Sequence, residues 1–125
     1  MNNLQKSLGK KGEEEAVALL KRSGYRILER NFRCRAGEID VIACDGDTLC
    51  FVEVKTRRSS EYGSPDLSVT PTKMRRIAAA AQFYLVQKGA QDADCRFDVV
   101  AILADAPPPN IELYKGAFTP ERPLP

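Results

Sequence analysis

The stretch that decides the fold is Gly37-Glu38-Ile39-Asp40-Val41-Ile42-Ala43, followed closely by Phe51-Val52-Glu53-Val54-Lys55-Thr56-Arg57. Both runs are dominated by β-branched and aromatic residues, the side chains that fit a pleated, half-buried surface. Asp45-Gly46-Asp47 between them is a hairpin signal, because glycine and aspartate accept the backbone of a two-residue turn. With Gly46-Asp47 as that loop, Asp45 pairs with Thr48 and the register places Asp40 opposite Glu53. Opposed residues share a face with Cβ atoms about 5 Å apart. Lys55, two residues beyond Glu53, shares that face, while Ile39, Val41, Val52 and Val54 fall on the other. Glu38 then opposes Lys55 and is a possible ion-pair partner for it. A one-residue slip would separate Asp40 from Glu53.

Three charges therefore stand inside strands that otherwise read as buried. Burying them is costly unless they pair with each other or hold a metal. Two carboxylates this close repel, and one of them titrates high unless something compensates. A divalent cation removes the conflict. The chain contains no histidine. This excludes Ser-His-Asp and Cys-His hydrolases and His-ligated zinc enzymes. An oxygen-only donor set suits Mg²⁺ or Mn²⁺. Lys55 beside such an ion can orient or deprotonate a water, or stabilise negative charge on a phosphate. Together these groups suit in-line hydrolysis of a phosphodiester. The alternative is an ion-pair cluster in which Lys55 simply neutralises Asp40 and Glu53.

Outward from the hairpin, the expected order is α-β-β-β-α-β-β. Leu8, Gly12, Ala16, Leu19 and Leu20 recur at helical spacing over Lys6 to Ser23, with Gly24 as the stop. Gly9 and Gly12 weaken a helix, and close approach to a sheet is the reason to keep them. Glu13 borders the packed face; it reads either as a favourable partner of the helix dipole or as a third carboxylate of the site. Gly9-Lys10-Lys11-Gly12 matches the GXXG loop of KH RNA-binding domains, but three glutamates follow at once and disfavour a phosphate clamp. Tyr25 to Arg33 reads as a strand. Thr70 and Pro71 suit the N-cap and first position of a second helix, which runs to Gln87 on an apolar stripe of Met74, Ile77, Ala78, Ala81 and Leu85. Cys95 to Leu103 is a β-branched strand, expected to join in parallel, and Ile111 to Tyr114 is a short edge strand. Ser59 to Pro65 and Ala106 to Pro109 read as connectors, and residues 119–125 as a disordered tail behind a single domain of residues 1–118.

The chain has 125 residues, 43% hydrophobic and 29% charged, the balance of a soluble globular domain. No apolar run has the length of a membrane span and the N-terminus lacks the apolar core of a signal peptide, so a cytoplasmic protein with no membrane partner is expected. Cys34, Cys44, Cys50 and Cys95 show no CxxC spacing and read as free, mostly buried thiols. The net charge is only +2. Between Lys55 and Arg76, however, Lys55, Arg57, Arg58, Lys73, Arg75 and Arg76 outnumber Glu61 and Asp66 by four, a candidate phosphate-facing patch.

The pattern D-x12-E-x-K on a hairpin, preceded by a helical glutamate, resembles the PD-(D/E)XK nuclease superfamily, nearest to Holliday-junction resolvases and RecB-type nuclease domains. More narrowly, Gly9-Lys10-Lys11-Gly12-Glu13, Asn31, Gly37-Glu38-Ile39-Asp40, Phe51 to Arg57, Lys73 and Arg96-Phe97-Asp98-Val99-Val100 resemble the YraN family of small bacterial proteins, over Leu8 to Phe118. The resemblance implies an α/β, restriction-endonuclease-like core, a central mixed β-sheet flanked by helices. It implies a Mg²⁺- or Mn²⁺-dependent nuclease acting on DNA, on branched or damaged forms. Asp40, Glu53 and the Val54 carbonyl would hold the metal with Glu13, and Lys55 would be the catalytic lysine. Arg57, Arg58, Lys73, Arg75 and Arg76 would contact nucleic acid, and a symmetric substrate would suit a homodimer. Ile39 stands where the superfamily name has proline, and the RecB glutamine-tyrosine motif is not reproduced by Gln82 and Tyr84. The alternative on the same fold is a non-catalytic nucleic-acid-binding or accessory module.

Overall fold

The computed structural model describes residues 3–57, 69–103 and 110–119, with side chains from Gly9 onward. The connectors at 58–68 and 104–109, the expected tail beyond 119, and Arg58 lie outside these residues. The elements are α1 (Asn3–Arg22), β1 (Arg26–Cys34), β2 (Gly37–Asp45), β3 (Thr48–Arg57), α2 (Pro71–Lys88), β4 (Cys95–Leu103) and β5 (Asn110–Phe118). The order is the one expected. The five strands form one mixed sheet in the order β1-β2-β3-β4-β5. β3 and β4 are parallel and every other pair is antiparallel.

The hairpin turns where the sequence places it: Asp45 pairs with Thr48, and Gly46 takes a left-handed φ of 60°. One helix covers each face. Ala16, Val17 and Leu20 of α1 pack on Val41, Ala43, Cys50, Val52, Val100 and Ile102. Ile77, Ala80, Ala81, Tyr84 and Leu85 of α2 pack on Phe32, Ile39, Ile42, Phe51, Phe97 and Val99. The caps of α2 follow from sequence: the Thr70 hydroxyl accepts the Lys73 N–H, Pro71 starts the helix and Gly89 ends it at φ 64°.

Gly12 explains how α1 lies so close to the sheet. A Cβ there would fall 2.3 Å from Thr56 Oγ1, whereas one at Gly9 would meet nothing within 4 Å. Close approach therefore accounts for Gly12 but not for Gly9. Several expectations need correction. α1 begins earlier than Lys6, so Glu13 lies in mid-helix and no acid occupies the first turn, which removes the dipole reading. β5 runs to Phe118 rather than Tyr114, because a register shift opposite Asp98 lets pairing resume. The four cysteines are free, but only Cys50 is buried. Among the described residues, no helix is long and apolar enough to cross a membrane.

Candidate functional site

The site grows from a change of phase in two neighbouring strands. A regular strand would put Ile39 and Val41 on one face. Instead Ile39 joins the α2 cluster and Val41 the α1 cluster. On β1 the partner of Val41, Arg30, reaches Glu14 of α1, while the partner of Ile39, Phe32, packs under α2. The switch falls on Asn31 and Asp40. Asn31 is the one non-glycine residue at positive φ, 54°, among the described residues, and asparagine tolerates that conformation better than most. The expected common face for Ile39, Val41, Val52 and Val54 is therefore corrected: Ile39 leaves it, because the strand kinks at Asp40.

The kink also ends the β2–β3 ladder. Its last partners before the site are Val41 and Val52, so Asp40 and Glu53 meet beyond regular pairing. The Val54 N–H is taken by the Asp40 carboxylate instead, at 2.7 Å. Val54 packs in the α1-side cluster and Thr56 lies against Gly12, so alternation leaves Glu53 and Lys55 on the α2 side. Lys55 is half-buried there. From α2, Lys73 brings its Nζ to 3.4 Å from Glu53 Oε1. From α1, Glu13 contributes a buried Oε1 with no hydrogen-bond partner.

Electrostatics make this a strained set of carboxylates. Burial raises Glu53 to about 7, and the Asp40 charge adds to it while Lys73 opposes it. Burial likewise raises Asp40 above the usual carboxylate range. The Val54 N–H and Lys73 hold it back, and the charges of Glu13 and Glu38 push it further. Glu38 itself is exposed and pairs with Arg33 across the β1–β2 ladder at 3.3 Å.

A second buried carboxylate in the same sheet shows the contrast. Asp98 is fully buried and fully bonded. Arg96 Nε and the Gly116 N–H donate to its Oδ1 at 2.8 and 2.9 Å, and Tyr25 Oη donates to its Oδ2 at 2.7 Å. Arg96 also bonds Asp45 at 2.8 Å, and Lys115 reaches Asp45 at 3.1 Å. Although burial alone would raise it, the Arg96, Gly116 and Tyr25 bonds together hold Asp98 below the usual range. Here charge is compensated inside the protein; at Asp40 and Glu53 the compensation is incomplete. The sequence showed Asp98 inside a strand but not its partners, which are Arg96 of the same strand, Tyr25 just before β1 and Gly116 of β5.

The donor set therefore fits a hard divalent cation in chemistry: two carboxylates raised by burial, one of them also by the charge of the other, and a third whose buried oxygen lacks a partner. Among the described residues, no three carboxylate or thiolate groups already converge as a metal cage. The expected phosphate patch is divided. Lys73 and Arg76 line a cleft of about 280 Å³ with Arg33, Cys34, Gly37, Glu38 and Ile77. Arg33 was missed, because its role depends on α2 closing over the β1–β2 turn. Gly37 permits that closure, since a Cβ there would sit 2.8 Å from the Arg76 carbonyl oxygen. Arg75 bonds the Thr72 hydroxyl at 3.2 Å and does not line the cleft. Arg57 is half-buried at the end of β3, opposite Leu103.

Comparison with known proteins identifies the kinship. A family model described as uncharacterised protein family UPF0102 matches residues 12–102. A UPF0102 protein of Geobacter sulfurreducens is 54% identical over 114 residues, covering 90% of this chain and 89% of its own. One from Geotalea daltonii is 56% identical over 117 residues, covering 93% and 92%. One from Chlorobium limicola is 57% identical over 100 residues, covering 80% and 78%. These names state no activity, so function is argued from the site.

Proposed function

The chain belongs to the uncharacterised protein family UPF0102, the family its YraN resemblance indicated, and we propose that it is a Mg²⁺- or Mn²⁺-dependent nuclease hydrolysing DNA phosphodiesters, with branched or damaged DNA as the substrate class. The observation that carries this reading is the neighbouring pair Asp40 and Glu53, both raised by burial and Glu53 further by the Asp40 charge, together with the buried Glu13 Oε1 that has no hydrogen-bond partner. A mixed sheet with a helix on each face agrees with a restriction-endonuclease-like core of the PD-(D/E)XK type, which we take as the fold relationship.

In this reading Asp40, Glu53, Glu13 and the Val54 carbonyl hold the ion. A bound divalent cation supplies charge neutralisation and Lewis acidity toward a phosphoryl oxygen. The protein's own part is positional. The Val54 N–H fixes the Asp40 carboxylate, and Gly12 brings the Glu13 helix down onto β3. Lys55, on the Glu53 side of the strand, orients or deprotonates the attacking water, or steadies charge on the phosphate. Arg76 and Lys73 supply cationic contacts to the backbone.

A second reading, a non-catalytic nucleic-acid-binding module, is favoured by the Lys73–Glu53 ion pair, which places a cation of the protein where a metal's charge would act. The deciding experiment uses pure protein with Mg²⁺ and with Mn²⁺ against junction, flap, single-stranded and duplex DNA. Metal-dependent cleavage by wild type, lost in folded Asp40→Ala and Lys55→Ala proteins, supports the nuclease. DNA binding that falls steeply with salt, ignores Asp40→Ala and comes with no cleavage supports the module.

A further inference from the structure

Lys73 belongs to two places at once. It is ion-paired to Glu53, and it lines the neighbouring cleft with Arg33 and Arg76. Among the described residues, the cleft is lined by three cations and one carboxylate, Glu38, which is already paired to Arg33. At about 280 Å³ it stands at the lower end of small-ligand sites, too small for a duplex and suited to one nucleotide unit. The Lys73 side chain is 44% exposed while Glu53 is 11% exposed, so the lysine is the partner free to turn toward a new anion.

We infer that the cleft binds one phosphate-bearing nucleotide unit of a nucleic acid, and that its phosphate draws Lys73 away from Glu53, so that nucleotide binding and divalent-cation binding at Asp40 and Glu53 strengthen each other. The inference rests on the nuclease reading for the cation but not for any cleavage. While Lys73 neutralises Glu53, it competes with a metal for the same carboxylate. A phosphate held by Arg33 and Arg76 gives Lys73 a second anion of comparable attraction, and releases Glu53. Linkage is reciprocal: the factor by which nucleotide tightens metal binding equals the factor by which metal tightens nucleotide binding. The device makes the cation site complete only when substrate is in place.

The test measures Mn²⁺ binding by the loss of the free-ion electron paramagnetic resonance signal, with and without a deoxynucleoside monophosphate, which carries the phosphate but no diester to cut. In wild type the nucleotide is expected to tighten Mn²⁺ by about 5-fold or more. The unphosphorylated nucleoside should leave it unchanged. In Lys73→Met, Mn²⁺ binds more tightly without nucleotide, and the nucleotide then adds little. In Arg76→Ala, nucleotide binding weakens while Mn²⁺ binding alone is unchanged. Melting curves check that each variant is folded. Equal Mn²⁺ affinity in wild type and Lys73→Met, or no effect of nucleotide on wild type, overturns the inference. Linkage that holds in a protein that cuts no substrate overturns the nuclease reading and leaves the inference standing.

Discussion

The Asp40 carboxylate accepts the Val54 backbone N–H at 2.7 Å, just beyond the last ladder partners of β2 and β3. A side chain thus takes over a bond that a continuing ladder would have made. The strands part around an acid, and this fixes Asp40 beside Glu53.

The metal-free protein should become less stable as pH rises from about 4.5 through about 7. Burial raises Glu53 to about 7, so its stabilising influence is complete in the protonated form below 4.5 and is lost as the proton leaves. The loss is on the order of 1–3 kcal/mol. Glu53→Gln should flatten the profile and raise the melting temperature above pH 7. Thermal melts in chelator from pH 5 to 8 read this directly; a wild-type profile that rises over that range would contradict it.

Asp98 should behave oppositely. Its carboxylate is held below the usual range, so its contribution is present at neutral pH and lost only as the pH falls through that low folded value. Asp98→Ala leaves Arg96 half-buried beside Tyr25 without its main partner and should cost about 3–5 kcal/mol. Urea unfolding of the variant at pH 7 measures it. Metal affinity should be unchanged in whatever fraction remains folded, because this cluster binds no cation in our account.

Gly12→Ala should destabilise by about 1–3 kcal/mol, because the new Cβ meets Thr56 Oγ1 at 2.3 Å. The double variant Gly12→Ala/Thr56→Ala removes the colliding hydroxyl and should recover most of the loss. Failure of the second change to rescue would mean that helix–sheet proximity is not what glycine provides there.

Lys55→Ala should lower cleavage by at least about 100-fold in a protein that still folds, the scale of a lost acid–base or charge-stabilising group. Lys55→Arg, which keeps the charge but not the geometry or the accessible pKa, should restore little. Single-turnover cleavage with Mg²⁺ gives the comparison.

How much of this was legible in the sequence follows from the range of each interaction. The hairpin register was legible because Asp45-Gly46-Asp47 is a local turn signal, and Asp45 does pair with Thr48. The helix caps at Thr70, Pro71 and Gly89 and the close approach at Gly12 were legible for the same local reasons. The phase change at Asn31 and Asp40 was not, because it needs two strands to kink together and alternation assumes that neither does. The Lys73–Glu53 pair and the Arg33 side of the cleft depend on where α2 settles across the sheet. The Asp98 cluster joins residues as far apart as Tyr25 and Gly116, and no spacing rule connects them.

The central claim is that Asp40, Glu53 and Glu13 form a divalent-cation site. Calorimetric titration of Mn²⁺ into the pure protein tests it most directly, run in parallel on Asp40→Asn, Glu53→Gln and Glu13→Gln proteins shown to be folded. The account predicts saturable binding to wild type, abolished by Asp40→Asn and Glu53→Gln and weakened by Glu13→Gln, whose Oε1 now lacks a partner. Binding that is absent from wild type even with nucleotide present, or that survives unchanged in both Asp40→Asn and Glu53→Gln, would contradict it.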